Sequence, residues 1–391
     1  MPAPSAPKTL TLFALLVALV VAASYVVAPL WNDKPEGVQE HPPLIFEQTM
    51  TVGEFAKANN LPNPAMKEIF GLKSKADLDR PVTDFGIPGE RILEEAAKQQ
   101  ALGSEYESKN WLKIPLKFGL WFLFMGGAFY LLRNKKINGA NRKWLYLIAT
   151  ATFGVILTSD PSPMGTVKDT IHLFAVEGVF FPPRLIALTV FLLTVFLANK
   201  FICSWGCQLG VLQDLIFRLN RNAKDSKAGP LPQIKVPFVV TNTIRIAFLA
   251  AFTVAAFGWG YELIEPIDPF RVYKPMTWTL VCAGFILVLL FLSLFVYRPW
   301  CHFACPFGLV GWLVEKFSLT KIKVDYDTCI SCEACAKACP STVMDAILKQ
   351  NRTIPDCFSC GTCMGVCPTD SISFTSGKRT PPPPDKFDQD A

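Results

Sequence analysis

Thirteen cysteines stand in a chain of 391 residues, and eight of them fall between Cys329 and Cys367. They form two copies of one pattern, Cys329-x2-Cys332-x2-Cys335-x3-Cys339-Pro340 and Cys357-x2-Cys360-x2-Cys363-x3-Cys367-Pro368. Three thiolates at that spacing wrap one cubane, while the fourth cysteine, turned away by the proline after it, ligates the other. One [4Fe-4S] cluster therefore draws on Cys329, Cys332, Cys335 and Cys367, and the second on Cys357, Cys360, Cys363 and Cys339. A zinc ribbon takes four ligands in two pairs and leaves the third evenly spaced cysteine and the repeated Cys-Pro without a role. Clusters of this kind pass one electron at a time and have no open coordination site. The segment is read as a wire, and no catalytic residue is expected in it.

Four further cysteines form two Cys-x3-Cys pairs inside an internal repeat: Phe201 to Gly210, with Cys203 and Cys207, parallels Pro299 to Gly308, with Cys301 and Cys305. On a helix, i and i+4 share a face, so each pair presents two sulfurs in one direction. Two pairs facing each other across a pseudo-twofold axis supply four thiolates. Pro306 suits the first position of a helix, which puts Cys305 beside a helix N-terminus, where partial positive charge favours thiolate. Lys200, Arg245 and Arg298 stand close enough in sequence or depth to offset an anionic cluster, although Arg245 at the start of a span reads first as a snorkelling interfacial arginine. Three readings stay open at Cys203, Cys207, Cys301 and Cys305: a third [4Fe-4S] cluster, a redox-active dithiol or disulfide, and buried structural thiols. Cys282, mid-span and without a partner, reads as core.

The elements that must position these cysteines are membrane helices. The chain is 51% hydrophobic and 18% charged, whereas soluble domains carry about 25% charged residues. The apolar residues pool in blocks near the roughly 17–25 residues that cross a bilayer. The blocks are Leu10–Leu30, Trp111–Leu132, a short Trp144–Thr158, Leu185–Phe201, Ile246–Ile264 and Trp278–Tyr297. Ala22-Ala23-Ser24 resembles a signal-peptidase site in the first block, which is nonetheless read as a retained helix. Five Lys/Arg lie in Arg133–Lys143 and seven in Lys200–Arg245, against two each in Ser159–Arg184 and Glu265–Pro275. Positive loops mark the cytoplasmic side. Both chain ends and the cysteine-rich segment then lie in the cytoplasm. Reducing surroundings favour cluster ligation over disulfides.

The fold expected is an all-α polytopic membrane domain of about six transmembrane helices with two duplicated helical hairpins, plus a small α+β bacterial two-[4Fe-4S] ferredoxin domain. The boundaries read are an N-terminal helix at 1–30, an extracytoplasmic helical module at 31–110, the membrane domain at 111–320, the ferredoxin domain at 321–376 and a disordered tail at 377–391. Within the outer module, Pro62, Pro64, Gly71, Pro81 and Pro88 punctuate several short helices between Met50 and Gln100. Val52–Lys57 running into Met66–Leu72 looks like a helix-turn-helix, here for docking or packing; no nucleic acid is expected as a partner. An Asp-Pro pair precedes each Cys-x3-Cys motif on the outer side, Asp160-Pro161 and Asp268-Pro269.

Quinone chemistry needs proton-handling groups, and two outer loops offer them: Asp160, Asp169, His172 and Glu177 in one, Tyr261, Glu262, Glu265 and Asp268 in the other. The three histidines, His41, His172 and His302, supply no opposed pair for a haem b. His302, between Cys301 and Cys305, reads as a hydrogen-bonded surface residue. Haem-attachment, dinucleotide-binding and P-loop motifs are absent.

Paired Cys-x3-Cys motifs at helix ends, followed by two ferredoxin motifs, resemble the NapH/NosR/CcoG-type membrane polyferredoxins over about Trp144–Phe374. Cys305-Pro306 fits that family's Cys-x3-Cys-Pro form, and Cys207-Gln208 departs from it. The resemblance implies electron transfer between membrane quinol and a partner oxidoreductase, in either direction, within a complex of membrane and redox subunits; quinol dehydrogenase activity belongs to that expectation. An assembly or metal-reducing factor for a respiratory metalloenzyme and a membrane redox sensor are the alternatives, separated from it by whether the chain co-purifies in a stoichiometric complex.

Overall fold

The computed structural model describes residues 5–31, 43–108, 110–159, 161–222, 224–384 and 386–387. Asp160 and His41, singled out above, lie outside the described residues. Helix α1 spans Ala6–Val27. A small helical module follows as α2 (Val52–Ala58), α3 (Asn63–Phe70) and α4 (Gly89–Ser108). Thr51 and Glu54 form a reciprocal capping box that starts α2, satisfying two amides that the first turn leaves unpaired. This module has a core of its own, built on Phe55, Met66, Phe70 and Ile92. It meets the membrane domain through Tyr106, whose ring lies 4.8 Å from that of Phe181, and through Glu105, which pairs with Arg184 at 3.0 Å.

The membrane domain contains α5 (Lys113–Arg133), α6 (Gly139–Ala149) running into a π-helical stretch Thr150–Ile156, α7 (Pro163–Glu177), α8 (Pro182–Ala198), α9 (Phe201–Trp205) and α10 (Gln208–Leu219). Then come α11 (Phe238–Trp259), α12 (Leu280–Leu292), α13 (Pro299–Phe303) and α14 (Pro306–Glu315). Among the described residues three stretches are long and apolar enough to cross a membrane: Ala6–Trp31, Lys113–Arg133 and Phe238–Trp259. The other three blocks read as spans fall on shorter pieces. Two of them, α8 and α12, end where the backbone must turn into a short cysteine-bearing helix. Asn199 before α9 and Arg298 at the cap of α13 take positive φ values of 61° and 47°, which break the helix in both copies of the repeat.

The loop expected outside after the π-helical stretch is not a surface loop. Its helix α7 packs against α8, α11 and α14. Its first turn reaches the cysteine motifs: Trp300 Nε1 donates to Met164 Sδ at 3.2 Å, and Gln208 Nε2 donates to the Pro161 carbonyl at 2.7 Å.

The C-terminal domain is a two-stranded antiparallel sheet, β1 (Thr320–Val324) with β2 (Ile372–Ser376), pairing Thr320 with Ser376 and Val324 with Ile372. Three short helices, α15 (Ala334–Ala338), α16 (Val343–Leu348) and α17 (Thr362–Val366), lie between the strands. The sheet packs on the membrane domain, with Phe374 against Phe129 and Phe201, so one hydrophobic core runs from Trp121 to Phe374. The tail read as disordered is partly fastened. Arg379 Nε donates to the Ile322 carbonyl at 2.9 Å, and Phe387 is buried against Tyr326. An aromatic side chain near an apolar rim gains enough burial to hold a Pro-rich segment in place.

Candidate iron–sulfur centres

The eight ferredoxin cysteines rim two cavities in the crossed pattern read from their spacing. Cys329, Cys332, Cys335 and Cys367 line one, and Cys339, Cys357, Cys360 and Cys363 line the other. The crossing follows from local geometry. Cys335 lies in α15 and Cys363 in α17, each beside its two companions, whereas Cys339 and Cys367 stand as caps at the ends of those helices. Because α15 and α17 pack together, each cap faces the opposite cavity. Among the described residues no three His, Cys, Asp or Glu side chains close on a single metal ion. Four sulfurs spread around a cavity fit a cubane's four irons; one zinc draws its sulfurs to about 2.3 Å.

The cavities differ in their surroundings. Cys332 is exposed, and Cys329 and Cys367 are half-buried; Phe387 covers part of this solvent-side cavity. In the membrane-side cavity Cys339, Cys357 and Cys363 are buried, and Tyr297 from the membrane domain completes the lining. Burial pushes the Cys335 and Cys357 thiols up to about 12. Burial also raises Cys360, but the Arg218 and Arg142 guanidiniums outweigh it and hold the thiol below its ordinary value. Since the thiolate is the ligand form, these two arginines prepare Cys360 for iron.

The segment Asp356–Thr362 plugs into the membrane domain. Asp356 takes Lys200 Nζ at 2.8 Å on one oxygen and Arg245 Nη1 at 2.9 Å on the other. Arg245 is thus buried in an ion pair and is not the snorkelling residue its position suggested, because an acceptor from the folded-back domain reaches it first. Phe358 sits among Lys200, Arg298, Tyr297 and His302, with the His302 ring 5.2 Å away. His302 is half-buried; its Nδ1 lies 3.2 Å from the Arg298 carbonyl. Trp205 Nε1 donates to the Ser359 carbonyl at 3.2 Å. Asp214, Asp225, Asp356, Phe358 and Thr362 escaped sequence reading; charged residues beside motif cysteines were the sole available signal.

Cys203, Cys207, Cys301 and Cys305 are all buried and lie within electrostatic reach of one another. The repeat is visible in their supports. Cys207 and Cys305 occupy the caps of α10 and α14, and the Gly308 amide donates to Cys305 Sγ at 3.4 Å. The Cys203 carbonyl accepts from Arg298, and the Cys301 carbonyl from Arg245 at 3.3 Å. Gly210 and Gly308 hold equivalent places: a Cβ on either would come within 2.5 Å of the Cys203 carbonyl oxygen or 2.8 Å of that of Cys301, so the two motifs require glycine there. Gln208, where Pro306 stands in the second copy, holds the Pro161 carbonyl instead. Cys282 is fully buried in α12, as expected of a core thiol.

Of the acidic and histidine residues in the two outer loops, several meet. Lys168 pairs with Glu262 and, at 3.2 Å, with Asp169; Asp169 also faces Arg184 at 3.4 Å. His172, one turn further along α7, is buried. Glu177 lies at the far end of α7, and Tyr261 is exposed. Glu265 pairs instead with Arg271 at 3.1 Å, and Asp268 caps the turn at Phe270.

Comparison with known proteins agrees with this geometry. Residues 322–374 match the 4Fe-4S dicluster domain, and residues 180–224 and 277–325, which hold the two Cys-x3-Cys pairs, match a 4Fe-4S binding domain. The chain is 31% identical to the Escherichia coli protein YccM over 44% of its length and 49% of the relative's. It is 26% identical to the methylamine utilization ferredoxin-type protein MauN of Paracoccus denitrificans, over 43% of its length and 57% of that protein. To the ferredoxin-type protein NapH of Escherichia coli it is 29% identical, over 40% and 55%. The chain thus spans about half the length of the curated relatives it matches. No solved structure matches it. Crossed cysteine cavities, buried Cys-x3-Cys pairs, membrane-length helices and matches to 4Fe-4S domains all agree with the chain's similarity to NapH/NosR-type membrane polyferredoxins.

Proposed function

We propose that the chain is a membrane-bound electron-transfer subunit that relays electrons singly between the quinone pool, or a membrane partner, and a partner oxidoreductase. Three cysteine sets would carry the relay in the order Cys203/Cys207/Cys301/Cys305, then Cys339/Cys357/Cys360/Cys363, then Cys329/Cys332/Cys335/Cys367. When bound, a [4Fe-4S] cluster supplies each set with a one-electron couple. The carrying observation is the crossed rim, Cys339 on one cavity and Cys367 on the other. Phe358, in the lining of the second set's cavity, packs against His302, which stands between Cys301 and Cys305 in sequence, and Cys332 is exposed where a soluble partner can approach.

At the other end, Lys168, Asp169, His172 and Glu262 suit the release of two protons and two electrons from a quinol. Lys168 lies one turn and His172 two turns from Met164, about 12 Å along the axis to His172, and Met164 touches Trp300 beside Cys301. In this reading the cysteine-rich domain is cytoplasmic, residues 31–110 extracytoplasmic and the spans in the bacterial inner membrane.

Iron and acid-labile sulfide counted on anaerobically purified chain test the reading. About twelve irons per chain are expected, at four per cubane. A count near eight removes the cluster at Cys203, Cys207, Cys301 and Cys305, and zinc or cystine at the eight ferredoxin positions overturns the conduit altogether.

A further inference from the structure

We propose that Arg142 and Arg218 are positioning residues that set the reduction potential at the membrane-side cavity, keeping it within range of the solvent-side one. The inference rests on the proposed function, in that it requires a cluster in each cavity. Reduction there adds one electron to an anionic group; no bond breaks and no proton moves. Low-dielectric surroundings disfavour added negative charge, so the buried cavity should be the harder of the two to reduce. Cations just behind its wall offset that cost.

Four buried guanidiniums, from Arg142, Arg218, Arg221 and Arg298, face two buried carboxylates, Asp214 and Asp225. Asp225 is shared by Arg142, Arg218 and Arg221, and Asp214 by Arg218 and Arg298. A buried excess of cations is costly unless an anion completes it. Two contacts bring these guanidiniums up to one ligand through Thr362, whose hydroxyl also faces Asp225 Oδ2 at 3.3 Å. Arg142 Nη1 and Arg218 Nη1 donate to Thr362 Oγ1 at 3.0 and 3.1 Å, and that oxygen lies 3.4 Å from Cys360 Sγ. Arg142 Nε and Arg218 Nη2, both buried, have no hydrogen-bond partner among the described residues. Neither cavity's lining contains a lysine or arginine, and Glu333 lines the solvent-side one; Arg142 and Arg218 stand behind the membrane-side lining residue Thr362. Arg142 belongs to α6 and Arg218 to α10, so the counter-charge comes from the membrane domain and acts only on a docked ferredoxin domain.

The test is an EPR-monitored potentiometric titration of the full chain, purified anaerobically in detergent, as wild type, Arg218→Gln, Arg142→Gln and Arg218→Lys. In each Gln variant the ratio of reduced to oxidised membrane-side cluster at fixed potential should fall about tenfold, equivalent to 59 mV for one electron. The solvent-side midpoint should stay put, and Arg218→Lys should recover most of the loss. Thr362→Val keeps both charges and removes only the hydroxyl beside Cys360; its membrane-side midpoint should fall by less than tenfold. Iron is counted on every preparation, so an arginine variant that loses its clusters is replaced by this one. Unchanged midpoints, or equal shifts of both, in variants that keep their iron overturn the assignment. Wild type without iron would instead sink the proposed function.

Discussion

The two cysteine cavities of the C-terminal domain are built from the same motif and differ almost wholly in what the rest of the chain brings to them. The solvent-side cavity is closed by its own domain and by Phe387. The membrane-side cavity is embedded in charge and aromatic contacts from α6, α9, α10, α11 and α13. Identical ligand chemistry thus sits in a partly exposed setting on one side and in a buried one backed by ion pairs on the other. The first is suited to exchange with a partner, the second to a fixed connection within the chain.

Matched substitutions on the two sides sharpen this contrast. The largest difference is expected between Asp356→Asn and Asp370→Asn. Asp356 is the shared partner of Lys200 and Arg245, all three side chains at most 1% exposed. Leaving those two cations unpaired should cost about 3–5 kcal/mol. Asp370 pairs with Lys135 at 2.8 Å, the side chains 70% and 33% exposed, and its loss should cost about 0–1 kcal/mol. Thermal unfolding of the cluster-loaded chain in detergent measures both, and similar losses would erase the distinction between the sides.

A smaller difference is expected between two glycines of the second motif. Gly361 has φ +77°, and a Cβ there would stand 2.7 Å from Leu132 Cδ1 at the end of α5. Gly361→Ala should therefore cost about 1–2 kcal/mol from backbone handedness alone. Gly365, inside α17, offers a Cβ nothing nearer than 3.8 Å. Gly365→Ala should stabilise by up to about 1 kcal/mol through helix propensity. The same unfolding measurement reads both signs; a harmless Gly361→Ala would show that α5 does not press on the motif.

Much of the site was legible in the residues. Cysteine spacing with a following proline specifies which thiols share a cavity, because ligand reach and the turn at Cys-Pro are local properties of a few residues. The repeat was legible for the same reason, and the glycines at 210 and 308 supply its physical cause. Hydropathy located the apolar blocks but not the helices within them. A count of apolar residues does not register a positive-φ turn at Asn199 or Arg298, nor that α7 folds back among α8, α11 and α14. Arg245 was misread because an interfacial arginine and a buried one have the same sequence context. Several cations counted towards topology, Arg142, Lys200, Arg218, Arg221 and Arg245, turn out to be buried ion-pair partners.

Composition and spacing alone picked out the cysteines that share each cavity and the apolar blocks that carry the membrane-length helices. A thiolate's ligand set and an apolar block's preference for lipid depend on neighbours in the chain. Folding alone determined how the two cavities differ, which carboxylate answers each buried cation, and that Phe358 packs against His302. Charge pairing and burial act through space, between residues such as Arg142 and Thr362, 220 positions apart, and no local pattern encodes them.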